Sequence, residues 1–244
     1  MLLTSFSVTD WTAWAPGMET AENWKSWANG EVSLAGLGAP ARVEIAPMLR
    51  RRLSRLGKAA LRAATDVDAG PAARYVFASK HGESTLTLEM LKCLARDEPV
   101  SPAMFSLSVH NALAGILSID KRNTRSHTAV AAGDETLCAG IIEALGLIAE
   151  NGEAPVLLVY YDESVSDFYG PFSPDVPATV ALAMMIGKTG IGGIDCEFDM
   201  IPSRRDGQRT SASHSFMRFL MDQDASWDWQ GHSARYRCRR VGTA

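Results

Sequence analysis

The chain has 244 residues, 46% of them hydrophobic and 21% charged, and its 24 basic and 28 acidic side chains leave a net charge of −4. This composition excludes wholesale disorder and argues against a protein built mainly to bind nucleic acid. The length fits one domain plus an appendage and buries roughly 70–75% of the unfolded surface, so no disulfide or metal is needed to hold a core.

Residues 2–8 alternate like a strand, which Ala15-Pro16-Gly17 closes. No basic region with a long apolar core precedes them, so no secretory signal is expected. Residues 19–28 read as a short helix with Trp24 and Trp27 on one side. A clearer helix is expected over residues 48–64, where Leu49, Leu53, Leu56, Ala60 and Ala63 recur at three- and four-residue steps. Its other faces carry Arg50, Arg51, Arg52, Arg55, Lys58 and Arg62, which suit either a solvated face or a docking surface for an acidic partner.

A strand over residues 74–79, a turn at His81-Gly82 and a helix over 84–95 follow. Pro99 and Pro102 punctuate the next loop. Residues 108–119 read as an apolar helix and 125–131 as a strand. The segment 134–151 is apolar on nearly all sides, so it is expected to be a buried helix, with Gly140 and Gly146 marking close backbone packing. Residues 155–161 and 178–186 are continuous apolar strands suited to a sheet covered on both faces. Beyond Gly190 the pattern weakens, and only 213–221 looks helical. Strands alternating with helices indicate α/β layering.

Cys93, Cys138, Cys196 and Cys238 are scattered without a C-x-x-C pair, and the five histidines have no triad or metal spacing, so neither a disulfide framework nor a metal site is expected. No apolar stretch reaches ~18 residues. The chain therefore reads as soluble and cytoplasmic, with no membrane span. Gly187-Lys188-Thr189 resembles the end of a phosphate-binding loop, but the glycine required earlier in that motif is Leu182. The G-x-S-x-G and H-E-x-x-H signatures are absent. Asp162-Glu163 at a strand end is either a pair of acid–base carboxylates or a satisfied loop or cap.

Residues 101–134 read SPAMFSLSVHNALAGILSIDKRNTRSHTAVAAGD. Ser101, Pro102, Asn111, Ala114, Gly115, Leu117, Ser118 and Ile119 stand at intervals that resemble the β-ketoacyl synthases. In that family S-P-x-F, N-x-x-A-G and L-S-I precede a strand ending in the nucleophilic cysteine. The likeness continues through the buried helix, Asn151-Gly152 and the strand at residues 156–160, and more weakly covers residues 1–190. It implies a thiolase-like α/β half-fold, a mixed sheet flanked by helices with one buried central helix. On this reading residues 1–190 form a synthase-like N-terminal domain, and 191–244 an appendage replacing the second synthase half.

The departures decide what the resemblance implies for activity. Counting from Ser101-Pro102, the nucleophile position falls on Asp134, and counting back from Asn151-Gly152 it falls on Asp134 or Glu135. Matching Thr128-Ala129 to the family's T-A instead gives Val130, with a helix several residues too long. No register yields a cysteine, and Cys138 lies a turn further on, inside the expected core. A condensing synthase needs a thiolate at a helix N-terminus, where the dipole lowers its pKa and N–H groups hold the oxyanion. Asp suits that place as a cap but is a poor acyl acceptor. The family's catalytic histidines and lysine come from its second half, and the surroundings of His214 and His232 do not match those motifs.

No catalytic residue, metal or cofactor is therefore expected. The resemblance implies a chain-length-factor-like subunit of the aryl polyene type, in a heterodimer with a full-length ketosynthase that receives substrates on acyl carrier protein. The strand with Thr128 maps to the dimer two-fold, and Met104, Phe105 and Leu107 map beside the partner's acyl pocket, as a tunnel gate or as core. Two alternatives stand beside it. One is a stand-alone decarboxylase or hydrolase using Asp134 or Glu135, and the other a purely structural stabiliser of a ketosynthase.

Overall fold

The computed structural model describes residues 2–67, 69–70, 72–151, 154–172, 178–203, 211–221 and 224–242. Eight strands form a single sheet in the order β3-β2-β4-β5-β1-β6-β8-β7. In chain order these are β1 (Leu2–Trp14), β2 (Arg74–Ala78), β3 (His127–Val130), β4 (Val156–Asp162), β5 (Val180–Gly187), β6 (Ile194–Pro202), β7 (Ser226–Gln230) and β8 (Ala234–Arg240). β2, β3 and β4 are mutually parallel and the remaining pairings are antiparallel. The helices are α1 (Ala21–Ala28), α2 (Pro47–Arg50), α3 (Arg55–Asp66), α4 (Ser84–Ala95), α5 (Pro102–Ser108), α6 (Ala112–Lys121), α7 (Thr136–Asn151) and α8 (Ala212–Leu220).

β1 runs well past the expected residue 8 because it serves two neighbours. Its first half pairs with β6, its second with β5, and a register shift at Thr9 turns the sheet between them. Gly193, in the turn before β6, has φ +93, and a Cβ there would strike the Val8 carbonyl, so only glycine lets the turn pass the bulge.

Burial divides by sheet face. Tyr75, Phe77, Leu157, Val159, Ala181 and Ala183 form one core with α3 and α6. The opposite face joins Val76, Leu158, Leu182, Met184 and Phe6 to α7 and α8 and carries on across Cys196, Phe198, Trp227, Trp229, Tyr236 and Cys238. The weak pattern beyond Gly190 thus hides three strands of the same sheet, while the helix expected over 213–221 is α8. These strands alternate inward aromatic and sulfur side chains with outward Arg235, Arg237, Arg239 and Glu197.

The single helix expected over 48–64 is two. Ser54 is extended (φ −64, ψ 175) and its Oγ accepts from Gly57 N at 2.8 Å, so its capping bond starts α3 and breaks the run. The loop expected around Pro102 is α5, with Pro102 in its first turn and Ser101 Oγ accepting from Met104 N. α7 is the buried helix of the expectation along its first turns, where Leu137, Cys138, Ile141 and Ala144 are at most 1% exposed. Its end is more open, and Gly146 and Ala149 are exposed. A Cβ on Gly140 would meet Leu158 Cδ1 at 2.9 Å and Ala78 Cβ at 3.0 Å, whereas one on Gly146 would meet nothing within 4 Å. Among the described residues no single helix is long and apolar enough to cross a membrane.

Candidate functional site

The carboxyl ends of the parallel strands β2, β3 and β4 meet at one edge of the sheet, the place where open α/β sheets bring loop residues together. Ser79 ends β2 and is fully buried. Its Oγ donates to Asp162 Oδ1 at 3.2 Å and accepts from Gly82 N at 2.7 Å. The N–H groups of Lys80 and His81 also donate to the Asp162 carboxylate, at 2.8 and 3.2 Å. His110 Nε2 donates to the Ser79 carbonyl at 2.8 Å. Gly82 has φ +54, and a Cβ on it would come within 2.7 Å of His110 Nδ1. Burial pushes the Asp162 carboxyl up to about 6, against the opposing pull of the donors from Lys80, His81 and Ser79.

Glu163 faces the other way. Arg55 grips it bidentately at 2.9 and 3.1 Å, and Thr179 Oγ1 donates to it at 3.2 Å. Ser54, the cap of α3, donates to Glu83 Oε1 at 2.7 Å. Glu83 is 6% exposed; burial is the main cause that lifts its carboxyl to about 7, and the Glu163 charge adds to it against the bond from Ser54 and the charge of Arg55. Asp162 and Glu163 therefore do not converge on a common atom. One cages the turn after β2 and the other ties α3 to the sheet, the arrangement of a satisfied cap. Ser54, Glu83 and Thr179 escaped the sequence reading because they come from three distant segments, and the cap pattern at Ser54 was their one local signal.

Asp134 and Glu135 lie in a 3-10 turn (Gly133–Glu135) leading into the N-terminal end of α7. Thr136 Oγ1 closes that turn, accepting from Ala132 N at 2.9 Å and donating to the Gly133 carbonyl at 2.6 Å. Lys80 Nζ donates to Asp134 Oδ1 at 2.6 Å. His81 lies beside this pair; burial first and the Lys80 charge second hold its imidazole below the usual range. The Glu135 carboxylate accepts from Ser233 N at 2.7 Å and from Ser233 Oγ, which fastens the β7–β8 hairpin to the start of α7. Gly231 packs so tightly on Glu135 that a Cβ there would strike the carboxylate. Cys138 is completely buried, and burial followed by the Glu135 charge raises its thiol well above the usual range. Asp134 is thus ion-paired, Glu135 is engaged in a structural tie, and Cys138 is kept as a neutral thiol.

The tunnel and interface candidates lie on a second surface. Phe105 on α5 is 62% exposed, which overturns the core reading of that side chain. Met104 and Leu107 are half-buried, and Leu107 packs against the α3–α6 core. Leu91, Leu94 and Val109 are exposed on the adjoining α4–α5 surface. β3 is the outermost strand on this side, with Thr128 paired to Val76 of β2. Tyr75 N donates to the Ser126 carbonyl and Ser79 N to the Val130 carbonyl, so residues 126, 128 and 130 turn their backbone groups toward β2. The outward backbone groups belong to His127 and Ala129. No group of three or more His, Cys, Asp or Glu among the described residues is placed to hold a metal ion.

The sequence profile described as the N-terminal domain of β-ketoacyl synthase matches residues 24–237. No curated protein matches the chain. Among solved structures, a chain from the complex of the ketosynthase ApeO with its chain length factor ApeC from Xenorhabdus doucetiae superposes with a TM-score of 0.83 at 25% identity, covering 97% of this chain and 100% of that one. The ishigamide ketosynthase/chain length factor gives 0.66 at 13% identity, covering 89% and 73%. A type II polyketide acyl-carrier protein in complex with its ketosynthase bound to the hexaketide gives 0.60 at 14% identity, covering 83% and 70%. The likenesses below 25% identity speak for the fold, a thiolase-like mixed α/β architecture.

Proposed function

The chain belongs to the family of β-ketoacyl synthase N-terminal domains, and from that premise we propose that it is a non-catalytic, chain-length-factor-like subunit that pairs with an active ketosynthase. The observation that carries the reading is the start of α7. Asp134, which the resemblance assigns to the nucleophile's place, is bound to Lys80, and the neighbouring Glu135 is committed to the β7–β8 hairpin. A carboxylate so placed is stabilised by the helix end and an ammonium, which makes it a weaker nucleophile still. The likeness to a chain of a ketosynthase/chain length factor complex supports the same reading. Within the complex the growing acyl chain rides on acyl carrier protein, and the product class is aryl polyene.

The open edge of β3 and the exposed apolar side chains of α4 and α5 are the surface we assign to the ketosynthase. Met104, Phe105 and Leu107 then lie where they gate the partner's tunnel. On this reading residues 191–244 stand in for a second synthase half, with α8 beside α7 and the β7–β8 turn tied to the start of α7 through Ser233 and Glu135.

The test has two arms. The isolated chain, offered malonyl- and acyl-loaded carrier protein, is expected to show no covalent acylation and no decarboxylation. Co-expressed with its ketosynthase it is expected to co-elute as a heterodimer and to set product length. Acylation of the isolated chain at any residue would falsify the non-catalytic reading. A ketosynthase that makes the same product lengths with a Phe105→Ala subunit and with the wild type argues for a stabiliser only.

A further inference from the structure

Between α1 and the sheet lies a cavity that the fold leaves unfilled. It measures about 440 Å³ and is lined by Trp11 and Ala13 of β1, Trp24, Lys25 and Ala28 of α1, and Met221 just past α8. The one buried side chain of α1 is Trp27, which Trp24 meets edge-on at 5.6 Å and the Arg218 guanidinium covers at 5.2 Å. Trp27 is thereby committed to holding the helix down, whereas Trp11 and Trp24 stay half-buried. Their indole N–H groups bond nothing among the described residues, and neither does the Lys25 ammonium. Glu31, whose charge Lys25 feels, accepts from Asn29 Nδ2 at 3.2 Å.

A cavity of this size holds a small molecule, and its chemistry is one-sided. Its walls are indole, methyl and thioether groups, which favour a flat apolar body, because indoles pack on aromatic rings and methionine adapts to an irregular end. Thr12 also borders it, but alternation turns that side chain to the face of Trp14, away from Trp11 and Ala13. The polar side-chain groups left to it are donors, two indole N–H groups and one ammonium, and no carboxylate among the described residues lines it. A ligand therefore has to bring the acceptor, and a carboxylate suits an ammonium best. We propose that this cavity is a binding site for a small planar aromatic carboxylate, with the ring between Trp11 and Trp24 and the carboxylate at Lys25. The site is separate from the start of α7 and from the α4–α5 surface, so it goes beyond the subunit reading. A ring bound there also fastens α1 to the sheet.

The experiment titrates the full chain with 1-naphthoate, its neutral counterpart 1-naphthamide and the non-aromatic cyclohexanecarboxylate, by calorimetry and tryptophan fluorescence. Naphthoate is expected to saturate one site and raise the melting temperature, with the other two at least about fivefold weaker. Trp24→Ala should weaken naphthoate more than about tenfold, and Lys25→Gln about fivefold without affecting the amide. Lys25→Arg should keep most of the affinity. Ala28→Phe, which fills the cavity without removing a wall, should abolish binding, and it keeps the test decisive if Trp24→Ala fails to fold. Absence of saturable naphthoate binding, equal binding of the amide, or wild-type affinity in folded Lys25→Gln or Ala28→Phe overturns the site. Naphthoate binding that disappears on assembly with the ketosynthase makes the cavity part of the interface and overturns it as well. The subunit reading is untouched by each of these outcomes, since its own test is acylation and product length.

Discussion

Glu83 is a carboxylate kept nearly dry at the entrance to α4, and its cost appears as a pH dependence. Its folded pKa stands near 7, above the ordinary carboxylate value of the unfolded chain, so between the two the folded state binds the extra proton. The stability it contributes is full at low pH and is lost as pH rises through about 7. Glu83→Gln keeps an acceptor for Ser54 without the charge. Its stability relative to wild type should improve by on the order of 2 kcal/mol between pH 5 and pH 8 in urea titrations. His214 works oppositely, because burial and the Arg218 charge hold it down to about 4, but it is common to both proteins and cancels in the difference. A flat difference would mean that Glu83 is solvated in the native state. Phe105→Ala belongs to the same scale. An exposed ring contributes little to folding, so the isolated chain should lose less than about 1 kcal/mol, with any larger effect confined to the complex or its products. The pair Asp162-Glu163 was legible in the sequence but its use was not. Successive residues of a strand point to opposite faces, so adjacency in sequence separated the two carboxylates in space.

The helices and strands respond in ways that depend on what lies across from them. Gly140→Ala drives a methyl group into Leu158 and Ala78 and should destabilise by about 1–3 kcal/mol. Gly146→Ala meets open space and should stabilise the isolated chain by up to about 1 kcal/mol through helix propensity. Thermal melts of the two variants should therefore move in opposite directions, and a shared sign would contradict the packing of α7. On β3, proline at Ala129 removes an outward N–H and spares the bonds to β2, whereas proline at Thr128 breaks the internal ladder. Ala129→Pro should hold its fold but lose affinity for the ketosynthase in sedimentation or co-elution. Unaltered affinity would free the β3 edge from the interface. At this scale the sequence was readable where apolar periodicity is long, as at α7, β4 and β5. It misled at residues 48–64, where the apolar spacing runs across a break that one serine hydroxyl creates, and at 102–108, where a proline that looks like a loop signal opens a helix.

Across the whole molecule, the parallel part of the sheet was legible and its antiparallel extension was not. Cys196, Phe198, Trp227, Trp229, Tyr236 and Cys238 do alternate, but their outward neighbours are mostly charged, so no continuous apolar run marks these strands as it marks β4 and β5. The consequence of that extension lies in the long first strand. β1 sits between β5 and β6, with Ser7 opposite both Gly187 and Asp195. β1 therefore finds both its neighbours in strands remote from it in sequence. Contacts this remote in sequence slow folding, because a long loop must close before any of them forms. Until then the β1 segment is an unpaired apolar edge that is prone to self-association. Folding should consequently form the helices and the β2–β4 unit early and pair the central strand last. Closure of β1 between β5 and β6, more than the initial collapse, sets the moment at which the single eight-stranded sheet exists.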